Sequence, residues 1–75
     1  MNAPKWTYTS DSCGYMLFKD GVAQGGARTL GTATHTSNGK RRHPAHIQKA
    51  REMHAATAKR LCAEQNAKEV HDELA

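Results

Sequence analysis

The sequence predicts an α+β protein in which an antiparallel β-hairpin, extended to a three-stranded sheet, packs against one long α-helix. Two observations favour this fold. Residues 5–36 contain short alternating or apolar runs separated by turn signals, whereas a run of good helix formers follows Pro44. Strands that precede a single helix are typical of a two-layer α+β sandwich. We therefore expect one domain over residues 1–75, with the sheet in 5–36, a basic turn in 37–43 and the helix in 44–67.

The first two strands are predicted from side-chain alternation and apolar content. KWTYT (residues 5–9) places its two aromatic side chains on one face, and GYMLFK (residues 14–19) is an apolar run typical of a central strand. The dipeptide Asp20-Gly21 follows directly. It favours a type I′ hairpin turn, because both central positions of that turn need positive φ.

The third strand begins at Val22 and is expected to be irregular. Gly25-Gly26 interrupts its pattern, and glycines inside a strand suggest a bulge or a sharp bend. Residues 27–36 (ARTLGTATHT) can extend this strand with three threonines on one side, and Asn38-Gly39 then supplies a second turn.

The helix is expected to start at Pro44, since the first helical position has no use for the N–H that proline lacks. A helical projection places one thin face of mostly small residues toward the sheet. That face consists of Ile47, Ala50, His54, Thr57, Ala58 and Leu61, with Met53 and Cys62 at its edges.

A second apolar stripe lies on a different side of the predicted helix. Because of it, the structure of residues 68–75 has two possible interpretations. Either the helix breaks near Asn66 and residues 68–75 form a C-terminal turn or short extension, or one continuous helix shows two faces. In the second case Val70 and Leu74 would be the natural oligomer contact, so a monomer and a homodimer both remain possible. The stripe consists of Ala56, Ala63, Ala67, Val70 and Leu74.

The size of the chain limits what it can house. It has 75 residues, of which 37% are hydrophobic, and many of those are alanine. A chain of this length buries only about 60% of its unfolded surface, so we expect a single sheet–helix interface and no deep substrate cleft. The sequence shows no secretory leader and no membrane-spanning run. We therefore expect a cytoplasmic protein in which Cys13 and Cys62 are reduced, with one intramolecular bridge as the lesser alternative.

Charge is distributed unevenly along the chain. The net charge is +4, yet there is no Asp or Glu from Gly21 through Arg51. Such a stretch should attract an anionic partner, and backbone N–H groups at the helix start would add to its positive potential. The predicted partner-binding residues are Arg28, Lys40, Arg41, Arg42, Lys49 and Arg51.

The candidate chemical motifs are weak. His43 and His46 have a chelating spacing, and His35 or Cys62 could add a ligand, but zinc usually requires four ligands from two tight pairs. Solvated or capping histidines are the simpler interpretation. Cys13 has no histidine beside it in the sequence to serve as a base, and the phosphate-binding glycine motifs are missing. We therefore expect a non-enzyme that needs no cofactor or metal.

The stretches GYMLFKDGVAQGG and HIQKAREMHAATAKRLCAEQNA resemble, in size and architecture, small accessory proteins of phages and prophages, including anti-CRISPR proteins. The resemblance spans residues 5–67. It implies a protein without catalysis that occupies a surface of a host-defence complex. Because this chain is basic, such an inhibitor would bind an acidic protein surface or the nucleic acid held by the complex.

Two alternatives remain beside this interpretation. The basic turn could contact phosphates as part of a general nucleic-acid-binding accessory protein, with affinity that falls steeply with salt. A zinc-stabilised module is the lesser alternative.

Overall fold

The computed structural model describes the backbone of residues 5–74 and the side chains of residues 5–69. It contains a three-stranded antiparallel sheet in the order β1-β2-β3, followed by one helix, and this confirms the predicted α+β fold. The elements are β1 (Trp6–Asp11), β2 (Gly14–Lys19), β3 (Val22–Arg28) and α1 (Pro44–Leu74).

The β2–β3 hairpin closes through the predicted turn. Asp20 and Gly21 have φ values of 51° and 82°, and Lys19 pairs with Val22 across the turn. Positive φ at both central positions is the type I′ geometry, which matches the right-handed twist of the flanking strands. The register shifts between Leu17 and Phe18, where Gln24 is left without a partner next to the glycine pair of β3, so the predicted irregularity is confirmed as well.

β3 ends at Arg28, so the expectation that residues 27–36 would extend it holds for Ala27 and Arg28 and was wrong beyond them. The threonines of this segment bond to nearby backbone instead of pairing with a strand. Thr32 Oγ1 accepts hydrogen bonds from the N–H groups of Thr34 and His35, and Thr36 Oγ1 accepts one from Lys40 N–H. Such local bonds offer the backbone an alternative to a sheet ladder. We call residues 29–43 the connector.

The helix covers only part of the sheet. Among the described residues it packs against β1 and β2 and makes no comparable contact with β3, whose residues are all exposed. Among residues 5–69, the buried apolar side chains are Cys13, Ala58 and Cys62, so the core there is small, as the composition suggested. Both cysteines are free.

The predicted sheet-facing side of α1 is largely confirmed. Ala58 and Cys62 are buried, and Ile47, His54 and Leu61 are half-buried, as are Ala50 and Thr57. Met53 was wrongly placed at the edge of this face, because 56% of it is exposed. Because α1 packs on only two strands, the sheet does not extend far enough to cover a side chain on the flank of the helix.

α1 continues to Leu74, so the helix does not break near Asn66. The side chains of Val70 and Leu74, the predicted oligomer contact, lie outside the described residues. No described helix is both long enough and apolar enough to cross a membrane.

Candidate anion-binding groove

The connector is ordered by its own hydrogen bonds. Thr32 N–H donates to His35 O at 2.9 Å, Thr36 N–H to Lys40 O at 2.8 Å, and Gly39 N–H to Thr36 O at 2.9 Å. Gly39 has a φ of 82°, which fits the predicted Asn38-Gly39 turn. These bonds fold the segment back on itself, so the backbone that carries its cations is fixed before any partner binds.

The connector is also attached to the β1–β2 turn. Thr29 donates to Cys13 O from its N–H at 2.8 Å and from its hydroxyl at 3.2 Å, and the Ser12 hydroxyl donates to Ala33 O. Ser12 and Cys13 are both buried beneath these contacts. The sheet therefore fixes the position of the connector.

Arg42 stabilises the connector from within. Its guanidinium donates from Nε to Thr32 O at 3.2 Å and from Nη2 to Leu30 O at 3.1 Å, while its backbone N–H donates to Thr34 O at 2.8 Å. From the sequence, Arg42 was expected only to bind the partner. The pattern of carbonyls it contacts is created by the fold of the connector, and no sequence signal predicts it.

The start of α1 is capped by His43. Its Nδ1 accepts a hydrogen bond from Ala45 N–H at 3.1 Å, and its carbonyl accepts bonds from the N–H groups of His46 and Ile47. An accepting Nδ1 places the proton of the neutral ring on Nε2. This capping role was the simpler interpretation drawn from the sequence, and it orients one imidazole toward the segment that carries the cations.

The connector and the helix start together form an open groove of about 630 Å³. The rings of His43 and His46 lie on its helix side with centroids 5.6 Å apart. The first turn of α1 contains no acidic residue to offset the local positive potential. We call this site the basic groove; it is lined by Thr36, Lys40, Arg41, Arg42, His43, His46 and Ala50.

The groove keeps its positive charge. Within the part of the chain whose side chains are described, no carboxylate forms an ion pair with Lys40, Arg41 or Arg42. Lys40 and Arg41 are exposed, whereas Arg42 is half-buried. Three of the six residues predicted to bind the partner are therefore brought together by the fold.

The other three predicted residues lie elsewhere. Arg28 Nη2 is 3.1 Å from Asp11 Oδ2, so its charge is balanced within the sheet. The pKa of Asp11 is lowered, mainly by the hydrogen bond from Cys13 N–H and further by Arg28. Arg51 lines a separate, shallower depression of about 250 Å³, and Lys49 is exposed on α1 without lining the basic groove.

The candidate zinc ligands considered from the sequence were His43 and His46, with His35 or Cys62 as a further ligand. No group of three or more His, Cys, Asp or Glu side chains among the described residues is placed to hold a metal ion. Cys62, one of the two possible additional ligands, is buried against the sheet, and this burial raises the pKa of its thiol. A raised pKa disfavours the thiolate that would bind zinc.

The comparisons with known proteins add no family to this description. No protein family, no curated protein and no solved structure matches the chain.

Proposed function

We propose that this chain is a small interaction protein that binds an anionic surface of a partner complex through the basic groove, without catalysing a reaction. The observation that carries the proposal is the placement of Lys40, Arg41 and Arg42 around one groove with no described carboxylate paired to them. Keeping like charges together costs free energy through repulsion, and an anionic partner would relieve that cost.

The hydrogen bonds that hold the connector in one conformation support a role in binding, as opposed to a role in solubility alone. Structureless connections longer than about 12–15 residues are uncommon in compact domains, and they are usually functional or disordered. This connector separates β3 from α1 and is held by backbone, threonine and arginine hydrogen bonds. A segment that only keeps the surface polar would need none of these. A preorganised backbone also loses less entropy when a partner binds.

We further propose that the partner belongs to a host-defence complex, such as a CRISPR–Cas nucleoprotein in the cytoplasm of a bacterial cell, and that binding blocks it. This narrower proposal rests on the resemblance of the chain to anti-CRISPR and other phage accessory proteins in size and architecture. A small chain with one charged groove suits a protein that acts by occupying a surface.

A general nucleic-acid-binding role is the second candidate. The same groove joins three cations to a helix N-terminus, whose dipole adds to the positive potential that attracts phosphate oxygens. Such a protein would bind duplexes of any sequence, with a log–log salt slope of about −0.9 per phosphate contacted.

The proposal is tested by charge reversal in the groove. Fluorescence anisotropy of the double variant Lys40→Glu, Arg41→Glu is measured with a labelled oligoglutamate peptide and with a labelled DNA duplex at about 50 mM salt. The matched control is Lys59→Glu, Lys68→Glu, in which two exposed helix lysines outside the groove undergo the same change in net charge. Arg42 is kept intact because it holds the connector.

We expect the groove variant to bind anions at least about tenfold more weakly than the control, since two attractive contacts become repulsive. Equal affinity of the two double variants for every probe would show that only net charge matters and would refute the groove as the site.

A further inference from the structure

The basic groove is not uniformly polar. Ala50 and the carbon stems of the long cations give part of its wall an apolar character. A groove that served only inorganic charge would gain nothing from such a wall. The apolar part of the wall therefore indicates a partner that also carries an apolar group.

Met53 lies beyond the groove on the same side of α1 as Ala50. It follows Ala50 by three residues and His46 by seven, and these spacings place all three on the same side of a helix. Met53 is 56% exposed, although methionine is among the residues most often buried. The nearest acid in sequence, Glu52, points about 100° away around the helix and accepts a hydrogen bond from Gln48 at 2.9 Å.

Cations and apolar groups thus follow one another along a single side of the molecule. Lys40 and Arg41 stand at the connector end, the histidines lie between, and Ala50 and Met53 continue the surface along the helix. Methionine adapts its shape to different apolar partners, and both methionine and arginine are enriched at protein interfaces.

We infer, building on the proposed function, that the anionic partner is a protein segment in which carboxylates flank an apolar side chain. The carboxylates would pair with Lys40 and Arg41, and the apolar side chain would pack on Ala50 and Met53. Charge complementarity would then speed association, and burial of Met53 would supply affinity and specificity.

The lining of the groove favours this partner over nucleic acid. None of the described residues that line it is Phe, Tyr or Trp, so they offer no platform on which bases of single strands usually stack. A phosphodiester backbone also presents no group that would benefit from contact with Met53. Nucleic acid is therefore an outcome of the test and not the expectation.

The test compares three labelled probes by fluorescence anisotropy: an oligoglutamate peptide, a peptide of equal charge with two leucines among its glutamates, and a DNA duplex. The proteins are the parent chain, Met53→Ala, the control Val22→Ala, and Lys40→Glu, Arg41→Glu. Val22 is a suitable control because it is 63% exposed and lies on β3, away from the helix. Circular dichroism verifies that each variant is folded.

We expect the parent to bind the leucine-containing peptide about tenfold more tightly than oligoglutamate, which is the size of effect that burial of one apolar side chain provides. Met53→Ala should remove most of this preference without weakening oligoglutamate binding, whereas Val22→Ala should keep it. Lys40→Glu, Arg41→Glu should weaken binding of both peptides.

The inference and the proposed function fail in different ways. Equal affinity of the parent for the two peptides, or a preference that Met53→Ala leaves unchanged, would overturn the inference while charge reversal still weakened binding. Tighter binding of the duplex than of either peptide, insensitive to Met53→Ala, would replace the protein segment with nucleic acid. If charge reversal had no effect on any probe, the proposed function itself would fall.

Discussion

The carboxamide of Asn66 forms two hydrogen bonds with the backbone of Trp6, a residue 60 positions away in the chain. Trp6 N–H donates to Asn66 Oδ1 at 3.0 Å, and Asn66 Nδ2 donates to Trp6 O at 3.2 Å. The side chain thereby satisfies one N–H and one C=O on the outer edge of β1, as a neighbouring strand would. It also fixes the helix on the sheet in a protein with few buried apolar side chains.

Asn66→Ala should lower the free energy of unfolding by about 1–3 kcal/mol, because two part-buried hydrogen bonds are lost at once. Asn66→Asp should also destabilise the protein, because one carboxylate oxygen can still accept from Trp6 N–H but the other cannot donate to Trp6 O. The measurement is urea denaturation followed by circular dichroism, with Lys68→Ala as an exposed control on the same helix. Identical midpoints for Asn66→Ala and the control would show that the Trp6 contact contributes nothing.

Arg41 and Arg42 are neighbours in sequence with different predicted responses to the same conservative change. Arg42→Lys removes the fork that reaches Thr32 O and Leu30 O, whereas Arg41→Lys leaves these connector bonds intact. We expect Arg42→Lys to loosen the connector and to increase thermolysin cleavage before the exposed Leu30 several-fold. Arg41→Lys should be cleaved at the parental rate, and equal cleavage of the two variants would contradict the assigned role of Arg42.

The cap at His43 predicts an effect on helix stability. His43→Ala should lower the free energy of unfolding by about 1 kcal/mol, because Ala45 N–H loses its acceptor at the helix start. His43→Asn restores a strong capping side chain and should match or exceed the parent. Thermal unfolding measures both, and His46→Ala, which changes the other groove histidine, is the control. A larger loss for His46→Ala than for His43→Ala would argue against the cap.

The pH dependence of stability should reflect Glu69. Its carboxylate lies 2.8 Å from Lys19 Nζ and 3.6 Å from Lys5 Nζ. The pKa of Glu69 is lowered from its ordinary value of 4.5, mainly by the hydrogen bond with Lys19. A carboxyl whose pKa is lower in the folded state contributes stability above the unfolded pKa and loses it as pH falls through the folded pKa.

Stability of the parent should therefore decline on acidification from roughly pH 5 to pH 3, and Glu69→Gln should decline less steeply. The variant should also be less stable at neutral pH, where the parent carboxylate is ionised. Urea midpoints across this range provide the measurement, with Glu64→Gln as a control at an exposed acid of the same helix. Parallel curves for the parent and Glu69→Gln would remove Glu69 from the acid response, although Asp11 would still contribute to it.

Local patterns were sufficient for most of the fold. The Asp20-Gly21 turn, the apolar run of β2, the irregular β3 and the helix start at Pro44 each depend on preferences of a few adjacent residues. The positive charge of the stretch from Gly21 through Arg51, which contains no Asp or Glu, also follows directly from its composition. The extension of β3 failed because threonines suit a strand as well as a loop in which their hydroxyls bond to nearby N–H groups.

The site depended more on tertiary structure. The helix start was correctly predicted to have three cations beside it, Lys40, Arg41 and Arg42. The sequence did not show that Arg28 differs from them, since its pairing with Asp11 requires β1 and β3 to lie on either side of β2. Met53 was similarly misplaced, because helical periodicity gives the angle of a side chain but not the width of the sheet that covers it.

The sequence alone determined the order of the elements, the turn chemistry and the sign of the charge in the middle of the chain, because these follow from composition and local backbone preferences. Only the tertiary structure decided which cations remain unpaired, that Arg42 fixes the connector, and that Asn66 joins the helix to β1. Each of these depends on atoms brought together from distant positions, and neither propensity nor periodicity specifies such distances.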